Sequence, residues 1–251
     1  SLHDALPICI AEFDKKSFHV TMMGYQARDP LYIKWSRVDM HTLLTSYIVN
    51  EPIPLYGEPD LDKIKWVKKH YKVVRDTQGK PLVLGNQLGL GPARLYEANK
   101  TYVDEHGKRQ IGIESKKRAI WLQGLIAELF PVTAEYKKKI VEQAHMQTYL
   151  RSEYGAIRWF YDAMRWDYQK RCKRNGSEAE QAISHNTQSD AFGMIHDEIL
   201  DMGQNSEILE EHWFCNTIHD SVIMVPEVGK LDRCIQEVYS FMTKPSGVLV
   251  H

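Results

Sequence analysis

Two short apolar stretches lie at opposite ends of the chain, and each adjoins a carboxylate. Ile8 to Phe13 ends in Asp14, while His212 to Ile218 and Ser221 to Pro226 are joined by His219 and Asp220. Short apolar runs bounded by turn residues read as strands, and the later pair reads as a hairpin with a histidine and a carboxylate at its tip. If both carboxylates stand at one sheet edge, the strands of that sheet come from both ends of the chain and everything else is inserted between them. A carboxylate at such an edge is costly unless a cation or hydrogen bonds compensate it, and two together make an oxygen-rich site suited to Mg²⁺. Phosphoryl transfer with two metal ions roughly 3.5 to 4 Å apart uses such a pair. Taken singly, each Asp is more often a turn or cap residue than a metal ligand.

Composition narrows the setting. With 251 residues, 43% of them hydrophobic, the chain can bury a sizeable core, which excludes a disordered protein. No apolar run approaches the roughly 20 residues needed to cross a bilayer, so no membrane partner is expected. Cys9, Cys172, Cys215 and Cys234 form no CxxC pair, and the N-terminus lacks a secretory pattern, so reduced thiols and a cytoplasmic location are expected. Residues 1–9 (SLHDALPIC) read as a non-native leader of cloning or adapter origin, and the chain as an incomplete fragment. Net charge is -1, yet Asp60 to Arg174 hold 24 Lys and Arg against 13 Asp and Glu, a balance of +11, leaving -12 for the rest. A basic middle between acidic ends suits phosphates in the middle and cations at the ends, or else solvated helix faces.

Along the chain, Asp39 is placed to cap a helix through Leu43, Leu44 and Ile48, and Asn50 to Pro59, with three prolines and one glycine, marks a subdomain boundary. Helices are expected at Leu61 to Val74, Glu114 to Leu129, Ala134 to Gln147, Glu178 to Met202 with a break near Asn186, and Val228 to Met242. Lys100 to Gly112 reads as a loop. In Arg158 to Arg171 the rings of Trp159, Phe160, Tyr161, Trp166 and Tyr168 are core by default, with base stacking as the alternative.

Arg75 to Gly89 is glycine-rich but is neither a Walker loop nor a dinucleotide fingerprint, because the spacing of lysine and glycines is wrong and no Lys-Ser/Thr pair follows. It sets Arg75 and Lys80 just before an apolar helix, where both cations could meet a triphosphate; the alternative is close helix packing permitted by the glycines.

In their joint order these elements resemble the polymerase core of family A DNA polymerases, of divergent phage type. Asp14-Lys-Lys-Ser-Phe-His19, then Asp39-Met-His41-Thr42, is similar to the first palm motif and the Asp-Ile-His-Thr stretch after it. Arg75 to Gly89 is similar to the fingers helix, His185-Asn-Thr-Gln188-Ser-Asp-Ala191 to the helix that contacts the duplex, and His219-Asp220-Ser221 to the last palm motif. The resemblance implies an α+β fold: a palm with a small antiparallel sheet (residues 10–55 and 176–251) and a mainly helical fingers insertion with connecting helices (56–175). It implies two Mg²⁺ ions on Asp14 and Asp220, with the backbone carbonyl of Phe13 or Lys15 completing the set. The nucleotide would meet Arg75, Lys80, Leu84 and His19, and the nucleic acid Gln188, His219, Leu88 and Gly89. The implied partners are primer-template DNA and deoxynucleoside triphosphates, in a bacterial or phage-infected cell; the oligomeric state is left open.

The chain departs from the family pattern at identifiable places. His19 replaces the Glu that excludes a ribose hydroxyl, Leu84 and Leu88 replace two aromatic residues, and Arg75 stands five residues before Lys80 where four is usual. Gly79 and Pro81 flank that lysine and weaken a regular helix. Ser221 replaces a Glu, as in single-subunit RNA polymerases, and Glu180 and Ser184 fall where Arg and Asn are usual. The rival readings are therefore a single-subunit RNA polymerase, a metal phosphohydrolase built on His219-Asp220, and a non-catalytic nucleic-acid-binding remnant.

Overall fold

The two ends of the chain meet in one sheet. Ala11–Asp14 pairs antiparallel with Ser221–Met224, which pairs on its other edge with Phe214–Ile218, so the last of the described strands lies in the middle. The register sets Glu12 opposite Ile223, Phe13 opposite Val222 and Asp14 opposite Ser221. Residues that face each other across antiparallel strands share a face, and successive residues alternate between faces. One face therefore carries Glu12, Asp14 and Ser221, and the other carries Phe13, Val222 and Met224. Val222 and Met224 are fully buried, each worth about 1.5–3 kcal/mol of removal from water. A one-residue slip would turn them out, which is why this register holds.

The computed structural model describes residues 9–15, 17–103, 107–205, 214–218 and 221–244, and these build an α+β fold. Contacts divide the chain into a unit of residues 1–18, 152–156 and 188–251, which holds the sheet, and a unit of residues 19–151 and 157–187. In the first unit the helix Leu231–Met242 buries Cys234, Val238 and Phe241, spaced to share one helical face. His219 and Asp220 lie outside the described residues, as do residues 1–8 of the expected leader.

The second unit is mainly helical. Its core includes Tyr32, Trp35, Leu43, Leu44, Leu82, Leu122 and Phe130. Helix starts follow local rules: Asp29, Asp39, Asp60 and Ser115 each accept a backbone N–H from the first turn of the helix that follows. Asp29 does more. Nearly inaccessible, it also accepts the N–H and hydroxyl of Thr133 at 3.2 and 2.8 Å, tying Pro30–Val38 to Pro131–Gln147. The proline-rich stretch Asn50 to Pro59 lies within this unit, where Ile53 is fully buried and donates its N–H to Ser46 Oγ at 3.0 Å.

Three expectations need correction. The expected loop Lys100 to Gly112 contains a hairpin, Thr101–Val103 with Arg109–Ile111, whose three-residue strands give no readable alternation. The helix Ala179–Asn205 runs through Asn186 without a break. Of the rings in Arg158 to Arg171 only Phe160 is buried, whereas Trp159, Tyr161, Trp166 and Tyr168 are exposed. That segment forms two short hairpins, Tyr149–Arg151 with Ile157–Trp159 and Met164–Asp167 with Cys172–Asn175, and the last of these strands is exposed throughout.

Gly79 shows why glycine is needed in the polar segment before Lys80. A Cβ there would stand 2.5 Å from Thr45 Oγ1 and 2.9 Å from the carbonyl oxygen of His41, and a helix carbonyl cannot swing aside. Gly79→Ala is expected to lower the unfolding free energy by about 1–3 kcal/mol. Gly124→Ala, in the helix Lys116–Leu129 with nothing within 4 Å of the added carbon, should raise it by about 0.5–1 kcal/mol. Urea unfolding of both variants checks the pair; equal midpoints would remove the packing argument.

Candidate active site

Asp14 is exposed at the C-terminal end of its strand, opposite Ser221. Asp220 is joined to Ser221 by a single peptide bond. Ser221 is itself buried, and its hydroxyl donates to Glu12 Oε1 at 2.9 Å. Glu12 thus stands on the face of Asp14 and reaches Ser221. The sequence reasoning missed it, although the Glu12-x-Asp14 spacing on a strand is the signal that would have found it. The described donors are carboxylate oxygens on one face, a chemistry that fits a hard cation such as Mg²⁺. Among the described residues no three His, Cys, Asp or Glu side chains gather.

Lys15 is engaged on both its backbone and its side chain. Its carbonyl accepts the N–H of Phe18 at 3.2 Å, and its ammonium pairs with Glu198 while lying 4.9 Å from the Phe18 ring centroid. Burial holds the Glu198 carboxyl above its ordinary range against the pull of Lys15, and its second oxygen is buried without a hydrogen-bond partner among the described residues.

The second unit carries the cations. Between the short helical turn Lys72–Val74 and the helix Lys80–Gln87, residues Arg75–Gly79 form a π turn in which Lys80 donates its N–H to the carbonyl of Arg75. A π turn closes on i→i+5 as an α turn closes on i→i+4, so the turn absorbs the one extra residue between Arg75 and Lys80. Both cations reach the same atom: Asp76 Oδ1 lies 2.7 Å from Lys80 Nζ and 3.6 Å from Arg75 Nη1.

Arg75 is also tied inward. Its Nε donates to Thr42 Oγ1 at 2.9 Å, and its Nη2 lies 3.3 Å from Asp39. Burial pushes the Asp39 carboxyl up, but bonds from the Thr42 N–H and hydroxyl and the charge of Arg75 outweigh it and hold the carboxyl below its ordinary range. His41 in the same stretch is held below the usual imidazole range, first by burial and then by Arg75 and Lys80, and its Nδ1 is buried without a hydrogen-bond partner among the described residues. It is a neutral imidazole beside two cations, and sequence reasoning assigned it no role.

Lys80, Leu84 and Leu88 follow at intervals of four, and both leucines are exposed while Leu82 and Val83 are buried. The glycine after each leucine permits close packing: a Cβ on Gly85 would stand 2.8 Å from Leu95, and one on Gly89, whose φ is +69°, would stand 2.9 Å from Ile183. His19 is half-buried on the helix Phe18–Ala27.

No protein-family model and no curated protein sequence matches the chain. Among solved structures it is similar to the POL domain of Pol1 from M. smegmatis in complex with DNA primer-template and dNTP, with a TM-score of 0.66 and 17% identity over 95% of this chain. The chain has a DNA polymerase fold. It spans 37% of the length of that chain.

Within this DNA polymerase fold, the helix Ala179–Asn205 shows what its departures do. Glu180, where the family resemblance leads one to expect Arg, accepts the N–H of Gly91 at 3.1 Å and pairs with Arg94 at 2.6 Å, holding the start of the helix Pro92–Asn99. His185 is buried edge-on against Phe160, and the Thr187 hydroxyl donates to Gln26 at 2.8 Å. Gln188 is exposed.

Proposed function

We propose that this chain is the palm and fingers part of a family A DNA polymerase, which joins deoxynucleoside triphosphates to a primer 3′-hydroxyl under the direction of a template. The observation that carries the reading is the pairing of Asp14 with Ser221, the residue next to Asp220, in a sheet of a DNA polymerase fold. Asp14 and Asp220 would hold Mg²⁺, whose charge lowers the cost of forming an alkoxide at the primer terminus and of releasing pyrophosphate. Lys80 meets the triphosphate and neutralises charge as the leaving group forms, an electrostatic contribution. Arg75 fixes the turn that aims Lys80, and neutral His41 offers a donor or acceptor beside the same phosphates. Gln188 lies along the duplex, and His19 borders the sugar. The decisive test is extension of a labelled primer on a template with Mg²⁺, supplying deoxy- and ribonucleotides in parallel. Extension with deoxynucleotides supports the reading, preference for ribonucleotides would favour the RNA polymerase alternative, and no extension by chains carrying the natural flanking sequence would overturn both.

Asp76 adds a prediction. Its carboxylate lies between the two cations that a triphosphate needs, so the nucleotide must compete with it. The Lys80 pair is partly exposed, which limits the effect to about 1 kcal/mol or less. Asp76→Asn should therefore lower the nucleotide KM a few-fold and leave kcat unchanged in steady-state extension assays. A raised KM would mean that Asp76 positions Lys80 instead of competing for it.

A further inference from the structure

We infer that the paired hairpins of residues 157–175 form a surface for single-stranded nucleic acid, built from exposed rings alternating with cations. The rings of Trp159, Tyr161, Trp166 and Tyr168 are 55%, 80%, 49% and 85% exposed. Leaving four large rings of one short segment in water forgoes the strongest burial available to a chain, and exposed apolar surface of that extent marks an interaction surface. The same stretch carries Arg158, Arg165, Lys170, Arg171, Lys173 and Arg174 against only Asp162 and Asp167. Its partner is therefore anionic and offers flat apolar faces.

The register sharpens the choice. Trp166 stands opposite Lys173, so a ring and a cation share one face of the hairpin, and Arg165 stands directly opposite Arg174 on the other. Like charges at opposed positions destabilise a hairpin, and here each arginine is offset by one carboxylate, Arg165 by Asp162 and Arg174 by Asp167. The other four cations leave the segment an excess of positive charge that a polyanion would relieve. A base stacked on a ring while its phosphate meets the neighbouring cation satisfies both features at once. A duplex hides its base faces, so single strands fit this surface better.

The surface is also held ready. Glu178 accepts the N–H groups of Tyr161 and Asp162 at 2.6 and 2.7 Å, and Asp162 accepts the N–H of Ser177 at 2.8 Å, fixing the junction between the hairpins. Little ordering remains to oppose binding. None of these residues belongs to the candidate active site, so the inference does not depend on the polymerase reading.

The test is fluorescence anisotropy of a labelled oligothymidine, and of a blunt duplex of equal length, with the full chain. Trp166→Ala with Tyr168→Ala should weaken single-strand binding at least about tenfold and leave duplex binding unchanged, because both side chains are exposed and their loss does not disturb the core. Tyr168→Phe, which keeps the ring, should retain affinity; loss with Phe as with Ala would show that stacking is not the cause. Arg171→Ala with Lys173→Ala should reduce the slope of log affinity against log salt by about 0.7 per charge removed. Equal losses for duplex and single strand, unchanged affinity in the double ring variant, or preference for phosphatidylserine vesicles over the oligonucleotide would each overturn the inference.

Discussion

Asp14→Asn and Asp220→Asn should each reduce Mg²⁺-dependent primer extension by at least about 10³-fold while leaving the protein folded. The change replaces one carboxylate oxygen with an amide, removing a negative charge and almost no volume. A hard divalent ion binds charged oxygen far better than an amide, so the ion-binding set loses a ligand that the remaining Glu12 cannot supply from its own place on the strand. Stability is the control. Asp14 is exposed and its strand is held by backbone pairing and by Phe13 and Val222 on the opposite face, so the unfolding free energy should shift by no more than about 1 kcal/mol. Extension assays and urea unfolding on the same preparations separate the two effects. Substantial Mg²⁺-dependent extension by either variant would remove these carboxylates from the metal site.

Part of this arrangement was readable from sequence for physical reasons. The sheet was readable because its strands are short apolar runs ending at turn residues, and a buried face fixes their register. Asp39 was readable as a cap because its role is local, within three residues of Thr42. Features that depend on distant partners were hidden. Nothing near Glu12 in sequence reveals Ser221, 209 positions away, and nothing near Glu180 reveals the helix start at Gly91. The exposed rings were misread because burial is the right default for Trp and Tyr until the hairpins that carry them prove too small to have two covered faces. The extra residue before Lys80 looked like a flaw in the motif. It becomes intelligible only through the π turn, which a pattern of apolar residues cannot reveal.

That turn separates two cations that the sequence treats alike, and the separation should be measurable. Arg75 and Asp39 are each mostly buried, with side-chain exposures of 12% and 13%, while Lys80 is 45% exposed. Removing Arg75 leaves Asp39 without its main counter-charge and Thr42 Oγ1 without its donor, so Arg75→Ala should cost about 1–3 kcal/mol of stability. The cost should depend on pH with a definite sign. The Asp39 carboxyl is held below its unfolded value near 3.9, so the stability it contributes is complete above that pH and is lost as pH falls through the lower, folded value. Arg75→Ala should therefore flatten the acid limb of the stability curve. Lys80→Ala should show the converse, with stability changed by less than about 1 kcal/mol, an unaltered acid limb, and a nucleotide KM raised about 10- to 100-fold. Urea unfolding between pH 3 and 7 and steady-state extension on both variants give the comparison. If Lys80→Ala left KM unchanged, or if Arg75→Ala raised KM as much as Lys80→Ala without loss of stability, the division of labour across the π turn would be wrong and both cations would have to be placed on the nucleotide together.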